Sequence, residues 1–162
     1  MRIVVVADTH VRDGGRPLED RLLQDVAAAD LVLHAGDVTG PELLADLERL
    51  APVRAVLGNN DVDLVEKLPD RLELDLDGVA VAMVHDSGPR AGRPGRMRRW
   101  FPTADLVVFG HSHLPEDLVT DDGLRLFNPG SPTQRRRAPT RTYGVLEVGA
   151  GRILDLHHEH MG

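Results

Sequence analysis

The chain has 162 residues and no cysteine, and its 26 acidic and 19 basic residues give a formal net charge of −7. The absence of cysteine excludes disulfides, thiolate-bound zinc, iron–sulfur clusters and cysteine nucleophiles, so a transition metal must be held by imidazole, carboxylate or amide groups. The negative charge and the low count of one Trp, one Tyr and three Phe disfavour nucleic-acid binding by attraction or base stacking.

One domain covering residues 1–162 is expected, because a chain of this length buries about two-thirds of its unfolded surface. Met1 is followed directly by an apolar run that is too short to span a membrane and lacks a small-residue cleavage site. We therefore expect no signal or transit peptide, no membrane partner and a cytoplasmic location.

The first half of the chain predicts a parallel βαβαβ unit. Apolar runs predict strands over residues 2–7, 30–34 and 53–57. Pro17 is expected to open the first intervening helix, and Thr39 with Pro41 to start the second, because leucines follow both at helical spacing. Short connections of this kind are typical of a right-handed parallel sheet.

The second half predicts hairpins, one helix and one more buried strand. After a short amphipathic turn at 62–68, strands at 71–76 and 79–84 are joined by the turn formers Asp77-Gly78. A helix around 97–101 precedes a buried strand at 105–109, and two further hairpins pair 118–120 with 124–127 and 142–148 with 152–158. Parallel units followed by hairpins predict an α/β fold with two sheets packed face to face and helices outside.

Polar side chains that can bind metal follow five of the predicted strands. They are Asp8, His10, Asp37, Asn59, His85, His111 and His113. Taken singly, each is more often a turn former, a cap or a satisfied polar residue. Together they predict a site at the carboxyl edge of the strands, and their mixture of carboxylate, amide and imidazole favours Mn, Fe or Zn over calcium. Seven ligands are more than one ion needs, and they suit two ions if Asp37, central in the strand order, bridges them.

Most of the remaining histidines and of the clustered arginines are expected to lie outside the metal site. His34 is expected to be a satisfied polar residue within its strand, and His157, His158 and His160 to form a solvated tail. Arginines crowd residues 90–99 and 135–141. Most are expected to be solvated loop charge, with one or two leaning over the site to clamp phosphate oxygens.

Five short blocks of this sequence resemble the signature motifs of the calcineurin-like metallophosphoesterases. The blocks are Asp8-Thr9-His10, Gly36-Asp37, Gly58-Asn59-Asn60-Asp61, His85 and Gly110-His111-Ser112-His113. The short length and Asn128-Pro129-Gly130-Ser131 resemble the small bacterial and archaeal phosphodiesterase branch, which includes the eukaryotic retromer scaffold subunit. The resemblance spans residues 1–131 and implies a four-layer αββα sandwich of two mixed β-sheets flanked by helices.

The resemblance also implies a site with two divalent metal ions. One ion would take Asp8, His10, Asp37 and His113, and the other Asp37, Asn59, His85 and His111. Mn is expected first, with Fe, Zn, Ni or Co as alternatives. The implied activity is hydrolysis of phosphate esters by in-line attack of a metal-bridging hydroxide.

Three functions remain open from the sequence. A phosphodiesterase is favoured, with a phosphomonoesterase of the same fold as one alternative and a protein-binding scaffold with a non-catalytic metal site as the other. The complete ligand set argues against the scaffold. The expected partner is a small phosphate-ester substrate. Nucleic acid is not expected as a partner unless one of its ends is the substrate, and a homodimer is left open.

Two departures from the family pattern bear on catalysis. Asn60 stands where phosphatases of the wider family have a histidine thought to help the leaving group depart. Because an amide supplies no acid proton, and such help is typically worth about 10²–10⁴-fold, esters with good leaving groups are the expected substrates. Asp61 is expected to position the Asn59-Asn60 loop by hydrogen bonds, and Asp86-Ser87 replace the Gly-His that often follows His85 in relatives.

Overall fold

Ten strands and three α-helices make up the structure, a computed structural model that describes residues 1–162. In chain order the elements are β1 Arg2–Val6, α1 Asp20–Ala27, β2 Leu31–His34, α2 Pro41–Leu50, β3 Val53–Ala55, β4 Arg71–Leu76, β5 Val79–Val84, α3 Arg93–Trp100, β6 Leu106–Val108, β7 Glu116–Val119, β8 Arg125–Asn128, β9 Arg141–Gly149 and β10 Arg152–Met161. A 3₁₀ turn at Val62–Leu64 follows β3. None of the helices has the length and apolar character needed to cross a membrane.

The strands form two mixed five-stranded sheets. The first has the order β10-β9-β1-β2-β3, with β1, β2 and β3 parallel and the β9–β10 hairpin antiparallel. The second has the order β4-β5-β6-β8-β7, in which β5, β6 and β8 are parallel and the two outer strands antiparallel. The predicted α/β fold with two mixed sheets is confirmed.

Three apolar clusters hold the layers together. The central cluster packs the inner faces of the two sheets, for example Val5 and Leu33 of the first sheet with Met83 and Val108 of the second. A second cluster joins the outer face of the first sheet to α1 and α2. A third joins the outer face of the second sheet to α3. The layer order is therefore helix, sheet, sheet, helix, and the predicted four-layer αββα sandwich is confirmed.

Several predicted boundaries are wrong. The first helix begins at Asp20 and not at Pro17, because Glu19 keeps an extended backbone (φ −66°, ψ 145°) and carries no side-chain cap. The third helix begins at Arg93, earlier than predicted, and β3 ends at Ala55, earlier than predicted. Strand β10 continues to Met161 because it pairs with β9 as far as Arg141.

The topology brings the ends of five strands to one edge of the sandwich. The parallel strands β1, β2 and β3 end there in the first sheet, and β5 and β6 end there in the second. Backbone hydrogen bonds tie these ends together, such as Asp8 N to Gly36 O (2.9 Å) and Gly110 N to His85 O (3.0 Å). The loops that carry the predicted ligands therefore share one edge.

Candidate metal centre

All seven predicted ligands meet at this edge. Asp8, Asp37, His85 and His113 are buried, whereas Asn59 and His111 are exposed and His10 lies between these extremes. Asp8, His10 and His113 place one donor atom each within 4.8 Å of one another, and so do Asp8, Asp37 and His85. The centre thus has a buried floor and an open side.

Asp37 lies between the two halves of this cluster. Its Oδ2 atom is 3.4 Å from His10 Nε2 and 3.5 Å from His85 Nε2. These nearly equal distances leave one carboxylate oxygen available to ions on either side. The bridging role of Asp37 stays a prediction.

Asp8 supplies the clearest sign that a cation belongs here. Both of its carboxylate oxygens are buried and have no hydrogen-bond partner, although Oδ1 lies 3.5 Å from His113 Nε2. Burial raises the pKa of Asp8 to about 7, and its neighbour Asp37 adds to this effect while His85 opposes it. A buried unpaired carboxylate is costly unless it is paired with a positive charge. A bound cation removes that cost, so the donors fit a metal.

The histidine rings are oriented by bonds outside the cluster. His85 Nδ1 donates to Ala35 O at 2.7 Å, and His113 Nδ1 donates to Gln134 O at 3.1 Å. When the ring is neutral, a proton held at Nδ1 leaves Nε2 with a free lone pair, and in both rings Nε2 is the atom that faces the carboxylates. The outer hydrogen bonds therefore select the tautomer that binds metal.

Asn59 closes the other half of the cluster. Its Oδ1 atom is 3.0 Å from His85 Nε2 and 3.1 Å from His111 Nδ1. Three donors from two sheets thus surround one small volume. His111 offers Nδ1 there, whereas His85 and His113 offer Nε2.

The backbone of the ligand loops is strained. Nine non-glycine residues have positive φ, and five of them are predicted ligands, namely Asp8, His10, Asp37, His111 and His113. Such conformations cost about 1–3 kcal/mol each and persist only where the surrounding structure enforces them. The positive φ values occur at both members of Asp8-x-His10 and of His111-x-His113, and all four side chains lie at the same site.

Gly58 and Asp61 hold the loop that carries Asn59. A Cβ atom at Gly58 would lie 2.1 Å from Asp37 N, so only glycine allows this approach. Asp61 accepts hydrogen bonds from the backbone N–H groups of Gly58 (2.8 Å), Asp37 (2.9 Å) and Thr39 (2.7 Å). Asp61 therefore fastens the Asn59 loop to the Asp37 loop, which is the positioning geometry expected for it.

Asn60 contacts the central carboxylate directly. Its backbone N–H donates to Asp37 Oδ1 at 2.9 Å, and its side-chain Nδ2 donates to Asp37 Oδ2 at 2.8 Å. Although burial alone would raise it, the pKa of Asp37 lies well below its ordinary value because His85 and Asn60 stabilise the anion. Burial likewise opposes the charged form of His85, but Asp37 and Asp8 raise the pKa of its ring above the ordinary value. Asp37 is thus ionised at neutral pH.

Comparison with known proteins agrees with this arrangement. Residues 1–151 match the profile of the calcineurin-like phosphoesterase superfamily domain. This chain is a calcineurin-like phosphoesterase-family protein. The family resemblance carried by the five sequence blocks is confirmed.

Two related proteins of this family are archaeal. A probable metallophosphoesterase of Methanothermobacter thermautotrophicus is 34% identical over 138 residues, covering 84% of this chain and 80% of that protein. A second one, from Methanocaldococcus jannaschii, is 35% identical over 153 residues, covering 91% of this chain and 76% of that protein. Among solved structures, Vps29 of Entamoeba histolytica, crystallised with Zn²⁺, has a TM-score of 0.79 at 20% identity over 99% of this chain and 98% of the other. That last likeness shows a shared fold.

The other histidines of this phosphoesterase-family chain lie outside the cluster. His34 is fully buried and bonds through Nε2 to Thr9 Oγ1 at 3.0 Å, but its Nδ1 is buried without a partner, so the expectation of a satisfied polar residue holds for one ring nitrogen only. The three C-terminal histidines form no tail, because β10 includes all of them; His157 and His160 are exposed as expected, whereas His158 is not. His158 is half-buried, stacks on Phe127 at 4.4 Å between ring centroids and bonds to Asn128 O, and burial lowers the pKa of its ring.

Acidic neighbours in β10 fix His157 as well. Its Nδ1 lies 2.6 Å from Asp155 Oδ2 and its Nε2 lies 3.2 Å from Glu159 Oε1. Alternate residues of a strand share one face, so this i±2 pattern in the sequence could have identified the contacts. His160 bonds to Thr140 Oγ1 across to the neighbouring segment.

Most arginines of the two clusters have structural partners. Arg93 pairs with Glu116 at 2.8 Å, Arg98 with Asp122 at 2.7 Å, and Arg96 donates to Ser87 O. In the second cluster Arg135 donates to Pro139 O, and Arg141 pairs with Glu19. These contacts agree with the plainer interpretation, in which most of the cluster is not aimed at a substrate.

Two of the cavities that border the metal centre share Asn59 in their linings. The larger, of about 770 Å³, is lined mostly by polar residues, among them His10, Arg12, Thr39, Asn59, Asn60 and Gln134. The smaller, of about 320 Å³, lies on the other side of Asn59 and includes His85, Arg71 and Trp100. Sequence patterns did not single out Arg12, Arg71 or Trp100, because none belongs to a motif or to a charge cluster.

Proposed function

We propose that this chain is a dinuclear metal-dependent phosphodiesterase. The proposal rests chiefly on one observation, the buried carboxylate of Asp8. Its two oxygens lack a hydrogen-bond partner, and its Oδ1 lies within 3.9 Å of the Nε2 atoms of His113, His10 and His85. Membership of the phosphoesterase family and two archaeal relatives described as probable metallophosphoesterases support the reaction class. The number of ions, their identity and the preference for diesters are the parts that we infer.

The seven residues divide into two ligand sets that share Asp37. One ion would take Asp8, His10, Asp37 and His113, and the other Asp37, Asn59, His85 and His111. The 3.4 Å and 3.5 Å distances from Asp37 Oδ2 to His10 and His85 support this shared position. Asp8 Oδ1 also lies 3.9 Å from His85 Nε2, so the first carboxylate adds negative charge to both sets.

When bound, the two metal ions would supply Lewis acidity and would lower the pKa of a coordinated water molecule into the neutral range. The chain itself orients the reacting groups. Asn60 holds the Asp37 carboxylate through two hydrogen bonds. Asn60 donates no acid proton to a departing alkoxide, so the leaving group must be a good one.

The two cavities support a diester as the substrate. Asn59 lies between them and lines both, so a phosphate held at the centre has space on either side for an ester group. A monoester would fill only one of these spaces. Most residues that line the larger cavity are polar or charged, which suits an ester group that can form hydrogen bonds.

Mn²⁺ is the ion that we propose for both positions. The set combines two carboxylates, one amide and four imidazoles, and such mixed oxygen and nitrogen donors suit Mn, Fe, Zn, Ni or Co. Vps29 of Entamoeba histolytica, which shares this fold, was crystallised with Zn²⁺, which supports a divalent ion on this fold. Availability in the cell then decides between ions of similar affinity.

A phosphomonoesterase and a protein-binding scaffold are the competing functions. A monoesterase would use the same ligands and differ only in its substrate. A scaffold would keep its function when a ligand is replaced, and the strained backbone at five ligand positions would then serve no purpose.

The test is hydrolysis of bis(p-nitrophenyl) phosphate and p-nitrophenyl phosphate by metal-stripped protein reloaded with Mn²⁺. The variants Asp37→Ala and His111→Ala remove a shared and an exposed ligand, and Asp121→Ala, in an exposed turn, is the matched control. We expect faster turnover of the diester, loss of activity with chelator and in both ligand variants, and unchanged activity in the control. Equal activity in wild type and His111→Ala, or silence with every divalent metal tried, would contradict the proposal.

A further inference from the structure

The smaller cavity beside the metal centre has a distinctive wall. Its lining includes Arg71, the first residue of β4, and Trp100, the last residue of α3. The guanidinium carbon of Arg71 lies 3.9 Å from the centroid of the Trp100 ring and 5.8 Å from that of Phe101. At 3.9 Å the planar cation contacts the face of the ring, which is a favourable cation–π geometry.

The fold fixes this wall next to the metal ligands. Arg71 pairs in register with Val84, and His85 is the next residue of the chain. On the opposite side, Leu57 N donates to Pro69 O and so ties the loop before Asn59 to the segment before β4. Gly58, Asn59 and His85 therefore line the same cavity as Arg71 and Trp100.

Arg71 has no polar partner within the chain. Asp70 and Asp86 also line the cavity, yet neither forms an ion pair with it, unlike Arg93 and Arg98 nearby. One face of its guanidinium rests on Trp100, while the side chain is exposed. A planar cation that is pre-ordered on one face offers its other face to a second planar group.

We infer that the Arg71–Trp100 wall binds the aromatic ring of one ester group of the substrate, in a sandwich of ring, guanidinium and indole. This inference rests on the proposed function, since the phosphate itself is held at the metal centre. The ligand class is a phosphate ester with a planar ester group, such as an aryl ester or a nucleoside ester. The polar cavity on the other side of Asn59 takes the second ester group.

Two phosphonates that are not hydrolysed test the inference. Phenylphosphonate and methylphosphonate carry the same phosphoryl group and differ only in the ring. Each is titrated as a competitive inhibitor of bis(p-nitrophenyl) phosphate hydrolysis by the Mn²⁺-loaded protein. Trp100 is the only tryptophan of the chain, so its fluorescence reports occupation of the cavity independently of activity.

We expect phenylphosphonate to bind about 5- to 30-fold more tightly than methylphosphonate, as a stacked cation–π contact would give. It should also change the Trp100 emission, whereas methylphosphonate should not. In Arg71→Ala the preference should fall to about 1–2-fold, and Arg71→Lys should retain only part of it because an ammonium group does not stack as a plane. Arg152→Ala, an exposed arginine in the β9–β10 turn region, is the control and should keep the wild-type preference.

Equal inhibition by the two phosphonates, or an unchanged preference in Arg71→Ala, would overturn the assignment of this cavity while hydrolysis still supports the proposed function. A protein that neither hydrolyses esters nor binds methylphosphonate with any divalent metal would instead overturn the proposed function, and with it this inference. Arg71 is exposed at a sheet edge, so its replacement should leave the fold intact, and an unchanged urea midpoint confirms this.

Discussion

Replacing Asp61 separates a positioning role from proton transfer. Its carboxylate accepts three backbone hydrogen bonds, with Gly58 and Asp37 sharing Oδ2 and Thr39 bonded to Oδ1. Asp61→Ala leaves three buried or half-buried N–H groups without an acceptor. Each unsatisfied donor costs about 1–3 kcal/mol, and water entering near Thr39 reduces the sum, so we expect a loss of about 3–6 kcal/mol in the free energy of unfolding. Asp61→Asn keeps one acceptor oxygen, which can retain the bonds from Gly58 and Asp37, and places an NH₂ group against the Thr39 N–H, which should cost about 1–3 kcal/mol.

Urea unfolding of the metal-free proteins measures these losses without a contribution from bound ions. Glu66→Ala, an exposed carboxylate in the same loop region, is the control and should change the unfolding free energy by less than about 0.5 kcal/mol. The variant that loses more unfolding free energy should also bind metal more weakly, since Asp61 connects the loops that carry Asp37 and Asn59. An Asp61→Asn variant of wild-type stability and metal affinity that nevertheless loses all turnover would refute the positioning role and point to proton transfer.

Three further replacements should change the free energy of unfolding in different directions. Asp8→Asn should stabilise the metal-free protein at pH 8 by on the order of 3 kcal/mol, because the raised pKa of Asp8 means that its ionised form is disfavoured by folding, while calorimetry should show that metal binding is lost. Burial lowers the pKa of His34 to about 3. As the pH falls below 6.5, the His34 ring therefore takes up a proton in the unfolded chain before it does so in the folded protein. Stability from His34 is therefore present above pH 6.5 and lost at about 1.4 kcal/mol per pH unit below it, and urea unfolding from pH 7 to 4 should show a shallower decline in His34→Leu. Gly58→Ala should cost about 1–3 kcal/mol in unfolding free energy and reduce Mn²⁺ affinity, because its Cβ would lie 2.1 Å from Asp37 N; an unchanged affinity would show that the loop yields without disturbing the site.

The order of layers could be predicted because it depends on patterns that are local in the sequence. Buried strands with apolar residues on both faces indicate parallel strands covered by helices, and Asp77-Gly78 indicates a hairpin turn. The start of α1 could not be predicted from Pro17, because the backbone of Glu19 stays extended and its side chain pairs with Arg141, which is remote in the sequence. The same applies to β10, whose last residues are held by pairing with β9.

The candidate ligands could be found because each follows a strand end, where the topology itself brings side chains together. The supporting contacts are different in kind. The bond from His85 Nδ1 to Ala35 O and the unpaired carboxylate of Asp8 depend on the approach of two sheets, which no local pattern encodes. The cavity wall of Arg71 and Trp100 joins an edge strand to the end of a helix, and it was missed for the same reason.

The most direct test of the dinuclear site is the number of Mn²⁺ ions bound per chain. Metal-stripped protein is titrated calorimetrically and analysed for metal content after dialysis, together with Asp37→Ala and His111→Ala. Two ions per chain in the wild type, with Asp37→Ala losing both and His111→Ala weakening one, is the result that the shared carboxylate predicts. A single ion in the wild type, or two ions retained in Asp37→Ala, would contradict the dinuclear arrangement.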